Sequence, residues 1–334
     1  MSEKIRALGL FSGGLDSVLA YKIMEGQGID PIAVFFKTPF FSGARNVRDL
    51  ARIYNIKLEE FDITKRYLEG VLRNPEYGYG RFFNPCIDCH GFMVRQATGL
   101  LGKYKSRFIF TGEVLGERPF SQTTFGLKKV AGLGHAERLL LRPLSAKLLP
   151  VTIPEEKGWV DRGSLYGIKG RGRKKQFELA GRYGINVKGL LQPSGGCLLT
   201  DPAISKRVRA YLKHFKNDEN WIWPLIKTGR HFAPVEETAI VFGRNEEENE
   251  IISGYGGKGV LVFLEDAPGP VGIVFGRKKN DDEVLKLCAE VVFSYAKKGY
   301  NKTRVRFVFN DGKSRAIELY GRKGRREYDK WILR

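Results

Sequence analysis

Cysteine, histidine and acidic residues are all scarce in this 334-residue chain, which holds four cysteines, four histidines and 37 acids against 57 bases. So few cysteines exclude a small disulfide-stapled scaffold. No apolar run approaches the ~20 residues that a membrane-crossing helix needs. The first residues, MSEKIRALGLFSGG, lack the apolar stretch and small-residue cleavage site of a secretory signal, so the expectation is a cytoplasmic protein with no membrane partner. No GxxxxGK[ST] occurs, which excludes a Walker-type phosphate loop. Gly254, Gly256 and Gly259 do satisfy GxGxxG, but they lead into the strand-like VLVFLE where a dinucleotide fold needs a helix.

The excess of bases is the first positive feature. A net charge of +20 attracts polyanions, and nucleic acid is the obvious partner. Hydrophobic residues make up 42%, ample for a core, and the length suits two domains. In the first part, strand patterns at 5–11, 31–37, 56–63, 106–113 and 139–144 alternate with helical patterns at 17–27, 46–54, 65–73 and 87–103. That alternation predicts an α/β fold with a doubly wound parallel sheet, whose ligands bind beyond the C-terminal strand ends. The segment WIWPLIKTGR reads as a linker. Beyond it come short strands at 237–243, 259–265 and 269–276, a helix over 281–298, and a hairpin turning at Asn310-Asp311-Gly312. The expected domains are 1–215, carrying the nucleotide chemistry, and a smaller basic α+β domain over 225–334.

The strongest local signal is Ser12-Gly13-Gly14-Leu15-Asp16-Ser17, between a strand and a helix. Glycines let backbone amides wrap a phosphate, hydroxyls at Ser12 and Ser17 donate to it, and Asp16 can orient the loop or hold Mg²⁺. The plainer reading is a tight turn with Asp16 or Ser17 capping the helix. This SGGxDS loop resembles that of the PP-loop ATP pyrophosphatases, which implies ATP cleavage between the α and β phosphates. Followed in order by TGEVLG (111–116), SQT (121–123) and LRPL (141–144), it is similar to the ThiI family of tRNA 4-thiouridine synthases. The resemblance covers about residues 5–200. It implies that Gly112 and Glu113 lie beside the nucleotide, and that Gln122 and Arg142 shape the same pocket, with Arg142 near phosphate or the adenylated intermediate. The chain departs from that family in the position of its loop, at residue 12, and in having no rhodanese-like stretch. RNA capture is therefore expected of the C-terminal domain, which resembles the RNA-binding domain of the NFACT proteins.

Cys86 and Cys89 form a CxxC pair opening a helix, and Cys197 follows two glycines, Gly195 and Gly196. Two cysteines one turn apart can address one metal and a third can close the site from afar. The constellation resembles that of iron–sulfur-dependent tRNA thiolases, which implies a [4Fe–4S] cluster with one iron open to sulfide. A persulfide/disulfide pair and a structural zinc site using His90 are the alternatives. Cys288, on an apolar helical stripe, reads as a small buried hydrophobe. His135, His214 and His231 have no ligand-like spacing. Basic runs lie at 169–175 (KGRGRKK) and over 277–334, where 17 bases face 8 acids beside Tyr320, Tyr328 and Trp331. These suit RNA phosphates and base stacking.

Together these features predict an ATP-dependent tRNA uridine sulfurtransferase using ATP, Mg²⁺ and a [4Fe–4S] cluster. Its partners are tRNA and a sulfur donor, either desulfurase-derived or inorganic sulfide, and the chain is a candidate homodimer. The alternative is a PP-loop ligase or amidotransferase acting on a small metabolite.

Overall fold

The structure, a computed structural model, describes residues 4–41, 44–187, 197–215 and 220–333. Chain contacts divide it into two compact units, Met1–Thr200 and Asp201–Arg334.

The first unit holds a parallel five-stranded sheet ordered β3-β2-β1-β4-β5. The strands are β1 (Arg6–Leu10), β2 (Asp30–Lys37), β3 (Leu58–Asp62), β4 (Phe108–Thr111) and a short β5 (Leu140–Leu141). Alternation along the strands makes two cores. Ala7, Ala33, Phe35, Phe108 and Phe110 face one side, with α1 (Leu15–Gly26) and α2 (Ala44–Ile53). Leu8, Val34, Phe36 and Ile109 face the other, with α4 (Cys86–Leu100) and α5 (Thr124–Leu133). Helices on both faces explain why the inner strands are apolar throughout while edge strand β3 is only half-buried. Gly9 is required here, because a Cβ would fall 2.3 Å from the ring of Phe110, its partner on β4. The order makes the sheet doubly wound, with its switch point between β1 and β4.

Two sequence expectations shift in this unit. The helix expected over 65–73 is one α-turn, α3 (Thr64–Tyr67), continued as a π-turn, Leu68–Leu72. The strand expected over 139–144 shrinks to two residues, because its partner β4 ends at Thr111 and Pro143 has no N–H with which to extend the ladder. The unit ends with α6 (Ile153–Glu156) and α7 (Lys174–Arg182).

The second unit opens with α8 (Pro202–His214), capped by Asp201, which accepts from the amides of Ala203 and Ile204. The sequence reading grouped 201–215 with the first domain; in the structure Tyr211 of α8 instead hydrogen-bonds His231 at 2.7 Å, and Arg207 donates to the Ile226 carbonyl. The expected linker is core. Ile222, Trp223, Leu225 and Ile226 are almost fully buried in and after a 3-10 turn, and an unexpected strand, β6 (Arg230–Val235), follows. Then come β7 (Thr238–Phe242), α9 (Glu246–Ser253), β8 (Val260–Leu264), β9 (Gly272–Gly276), α10 (Asp282–Ser294), β10 (Lys302–Val308) and β11 (Ser314–Tyr320). They make a six-stranded antiparallel sheet ordered β11-β10-β8-β9-β7-β6, against which α10 packs. The GxGxxG glycines end α9 and lead into β8, as the sequence indicated. Cys288 is wholly buried in this core. Among the described residues no helix is long and apolar enough to cross a membrane.

Candidate active site

A cleft of about 460 Å³ opens at the C-terminal ends of β1 and β4. The loop after β1 supplies one wall. Gly13 takes the left-handed conformation (φ +74°), and its Cβ position would touch Val47 of α2 at 3.0 Å. Helix α1 starts at Leu15 without a side-chain cap, so Asp16 and Ser17 lie in its first turn rather than capping it. The Ser17 hydroxyl donates to the Gly14 carbonyl at 2.7 Å, and the Gly14 amide donates to the Ser12 hydroxyl at 3.3 Å. An uncapped helix start beneath a glycine turn is a ready anion site.

Strand β4 ends flush against this loop. A Cβ on Gly112 would lie 2.5 Å from the Asp16 carbonyl, so no other residue fits without moving the loop. Glu113 follows, buried. Its carboxylate accepts from Arg142 Nε at 2.9 Å and from Thr111 Oγ1 at 3.1 Å, and lies 2.8 Å from His90 Nδ1. Burial opposes its ionisation, but Arg142 and His90 outweigh burial and hold the carboxyl down at about 2. Arg142 also donates to the Leu127 carbonyl at 3.0 Å; it lies behind Glu113 rather than on the cleft wall. Gln122 lines the cleft and accepts from the Arg118 amide at 3.0 Å.

Asp16 has partners that sequence reasoning missed. Arg173 lies 3.2 Å from its carboxylate and 2.8 Å from that of Glu117. Burial and the nearby Glu117 raise Asp16 to about 6 against the pull of Arg173 and Arg118. The sequence reading placed Arg173 in the basic run 169–175 as an RNA contact; its side chain instead turns in and is only 16% exposed. Only the place of Arg173 at the start of α7 could have hinted at this.

The three cysteines reach the same cleft from opposite ends of the unit. Cys86 and Cys89 form the first turn of α4, and Cys197 bridges to Phe41, just beyond β2, with the Leu198 amide on the Phe40 carbonyl at 2.8 Å. Gly195 and Gly196 lie outside the described residues. Asn84 donates its amide to Cys86 Sγ at 3.0 Å. Burial pushes all three thiols up, Cys197 to about 12; Cys86 and Cys197 raise Cys89 further, and Cys86 raises Cys197. Tyr67 was also missed, because a lone tyrosine on an apolar turn carries no signal. Its buried hydroxyl lies against Cys89 and within the influence of Cys197 and Cys86. Among the described residues no group of three or more His, Cys, Asp or Glu is arranged to hold a metal ion. The donor set nevertheless fits a thiolate-ligated group chemically, since three thiols line one cleft with the Tyr67 hydroxyl beside Cys89.

Residues 229–332 match the family model described as the NFACT protein RNA binding domain, in line with the likeness expected for that region. No curated protein matches the chain. Among solved structures it is similar to a 4-thiouridine synthetase in complex with RNA and bound ATP, at 20% identity and a TM-score of 0.38, over 66% of this chain and 52% of that one. It thus spans about half the length of that synthetase. It is also similar to a predicted subunit of tRNA methyltransferase from Methanocaldococcus jannaschii (17% identity, TM-score 0.35, 53% of this chain and 74% of that one). A third is NMN synthetase from Francisella tularensis (13%, 0.36, 67% and 84%).

Proposed function

We propose that the chain is a cytoplasmic PP-loop enzyme that adenylates a uracil carbonyl of tRNA and replaces the adenylate with sulfur. The observation carrying this reading is that the SGGLDS loop and three cysteines from distant segments line one cleft. In this reading ATP lies on residues 12–17, with its phosphates on the uncapped start of α1 and Mg²⁺ on Asp16. Arg173 then exchanges carboxylate for phosphate, and Gly112 keeps the loop in register. The uracil oxygen attacks the α-phosphorus, the bond to the β-phosphate breaks, and pyrophosphate leaves. Arg118 supports this step: its charge is felt at Asp16, Cys86 and Cys197 alike, so it faces negative charge developing between loop and cysteines. Sulfide from the donor then attacks the activated carbon and AMP departs with the former carbonyl oxygen. Position 4 of uracil is favoured over position 2.

Cys86, Cys89 and Cys197 would hold the [4Fe–4S] cluster, which when bound supplies an iron without a protein ligand for sulfide to occupy. Asn84 and Tyr67 would donate hydrogen bonds to its sulfurs.

The test incubates the full chain with ATP, unmodified tRNA and sulfide, reading pyrophosphate and, after digestion, thiouridine by mass spectrometry. Pyrophosphate release should depend on tRNA and fall at least ~100-fold in Asp16→Asn. Cys197→Ala should remove thiouridine, together with the iron and acid-labile sulfide, about four of each, of the anaerobically reconstituted protein. Release of the γ-phosphate instead would sink the reading. Pyrophosphate formed from a small acid and ammonia without RNA would establish the ligase alternative.

A further inference from the structure

The arginines of the second unit fall into two kinds. Toward β10 and β11 they are paired with carboxylates: Arg304 with Asp266 and Glu265, Arg306 with Glu265, and Arg315 with Asp282. Around Tyr295, which ends α10, they are not. Arg230, opening edge strand β6, lies 4.7 Å from the centre of the Tyr295 ring, and Arg325, in the 3-10 turn Arg325–Trp331, lies 4.5 Å from it. Among the described residues neither forms an ion pair. Each uses one donor on backbone, Arg230 on the Gly243 carbonyl at 3.4 Å and Arg325 on Ser294 at 3.2 Å. The carbonyl end of α10 offers partial negative charge to Arg325 without neutralising two guanidiniums.

Arg244 and Arg207 crowd the same region. Burial and like charge press on both Arg207 and Arg230: Arg244 acts on each, and Arg325 acts on Arg230. The carboxylate nearest to hand, Glu248, is engaged by Arg244. Folding has brought two guanidiniums, Arg230 and Arg325, from separate elements around one aromatic ring, with most of their N–H donors unspent. Such crowding costs stability unless an anion relieves it. A phosphodiester suits the place, because planar guanidiniums bind phosphate oxygens in pairs and the Tyr295 ring holds the two of them side by side.

We propose that Arg230, Tyr295 and Arg325 form a phosphodiester-binding site that holds the RNA backbone on the second unit. This rests on the RNA reading of the proposed function and adds the place of contact. The site anchors the strand without reading its sequence.

The test measures binding of the full chain to a tRNA transcript, and to a scrambled RNA of equal length, between about 50 and 300 mM salt. Arg230→Gln/Arg325→Gln should weaken both RNAs about tenfold at about 100 mM and lower the slope of log K against log salt by about 1.5. The double Lys variant should restore the slope, and Arg306→Gln, which removes a paired charge, should leave it unchanged. An unchanged slope in the Gln variant, or an equal fall in Arg306→Gln, overturns the site. If the double variant does not fold, Arg230→Gln alone should lower the slope by about 0.8, and an unchanged slope there overturns it equally. Inorganic phosphate, at constant ionic strength, should not displace RNA near about 1 mM; displacement there would make this a free-anion site and overturn the backbone assignment. A wild-type chain that binds neither RNA overturns the RNA reading as well, whereas pyrophosphate release that falls in the Gln variant at low tRNA and recovers at saturating tRNA supports a binding contact separate from the cleft chemistry.

Discussion

Glu113 shows what one buried charge demands of its surroundings. Its carboxylate stays ionised only because Arg142 and His90 meet it on two sides. Arg142→Met removes one compensating charge and strands the other, and should cost about 3–5 kcal/mol in urea unfolding. The same group sets an acid dependence. Its carboxyl is held near 2 in the fold against an ordinary 4.5, so the unfolded chain takes up the proton first. The stability it contributes is full above pH 4.5 and is lost as pH falls through about 2, on the order of 3 kcal/mol in all. Glu113→Gln should flatten that limb of the stability–pH curve; a limb that persists unchanged would assign it to other carboxylates.

At the scale of elements, the close approach of β4 to the start of α1 fixes the phosphate loop. Gly112→Ala forces a methyl group into the Asp16 carbonyl, so the loop must shift by tenths of an ångström or more. The expected result is a fold destabilised by about 1–3 kcal/mol with pyrophosphate release reduced at least ~100-fold, measured by melting and by turnover. Residual activity close to wild type would mean that the loop tolerates displacement. This contact also marks where sequence reading ends. The loop, the TGE strand end and the three cysteines could be found in the chain because each is a local pattern tied to a strand or helix boundary. Arg173, Glu117 and Tyr67 could not, because their roles depend on which elements the tertiary fold sets side by side. Patterns of alternation located β1 to β4, whereas β6 was missed: RHFAPV carries a proline and follows a buried tryptophan-rich turn that reads as a linker.

At the scale of the molecule, the two units keep their buried side chains in separate cores, and their cysteines divide the same way. Three thiols belong to the cleft of the first unit, and Cys288 alone to the interior of the second. The four thiols therefore form a built-in pair of clocks. In native protein free of metal, a thiol reagent should modify Cys86 and Cys197 first, because both retain some exposure. Cys288 has none, so its modification must wait for α10 to open and should follow the opening free energy of the second unit as denaturant is raised. RNA that binds the second unit without entering the cleft, such as the scrambled RNA, should slow the Cys288 clock while leaving the cleft clock at its own pace. A ligand on the phosphate loop should do the reverse. One unmodified chain, followed by mass spectrometry, can thus report separately on its two halves without an added label.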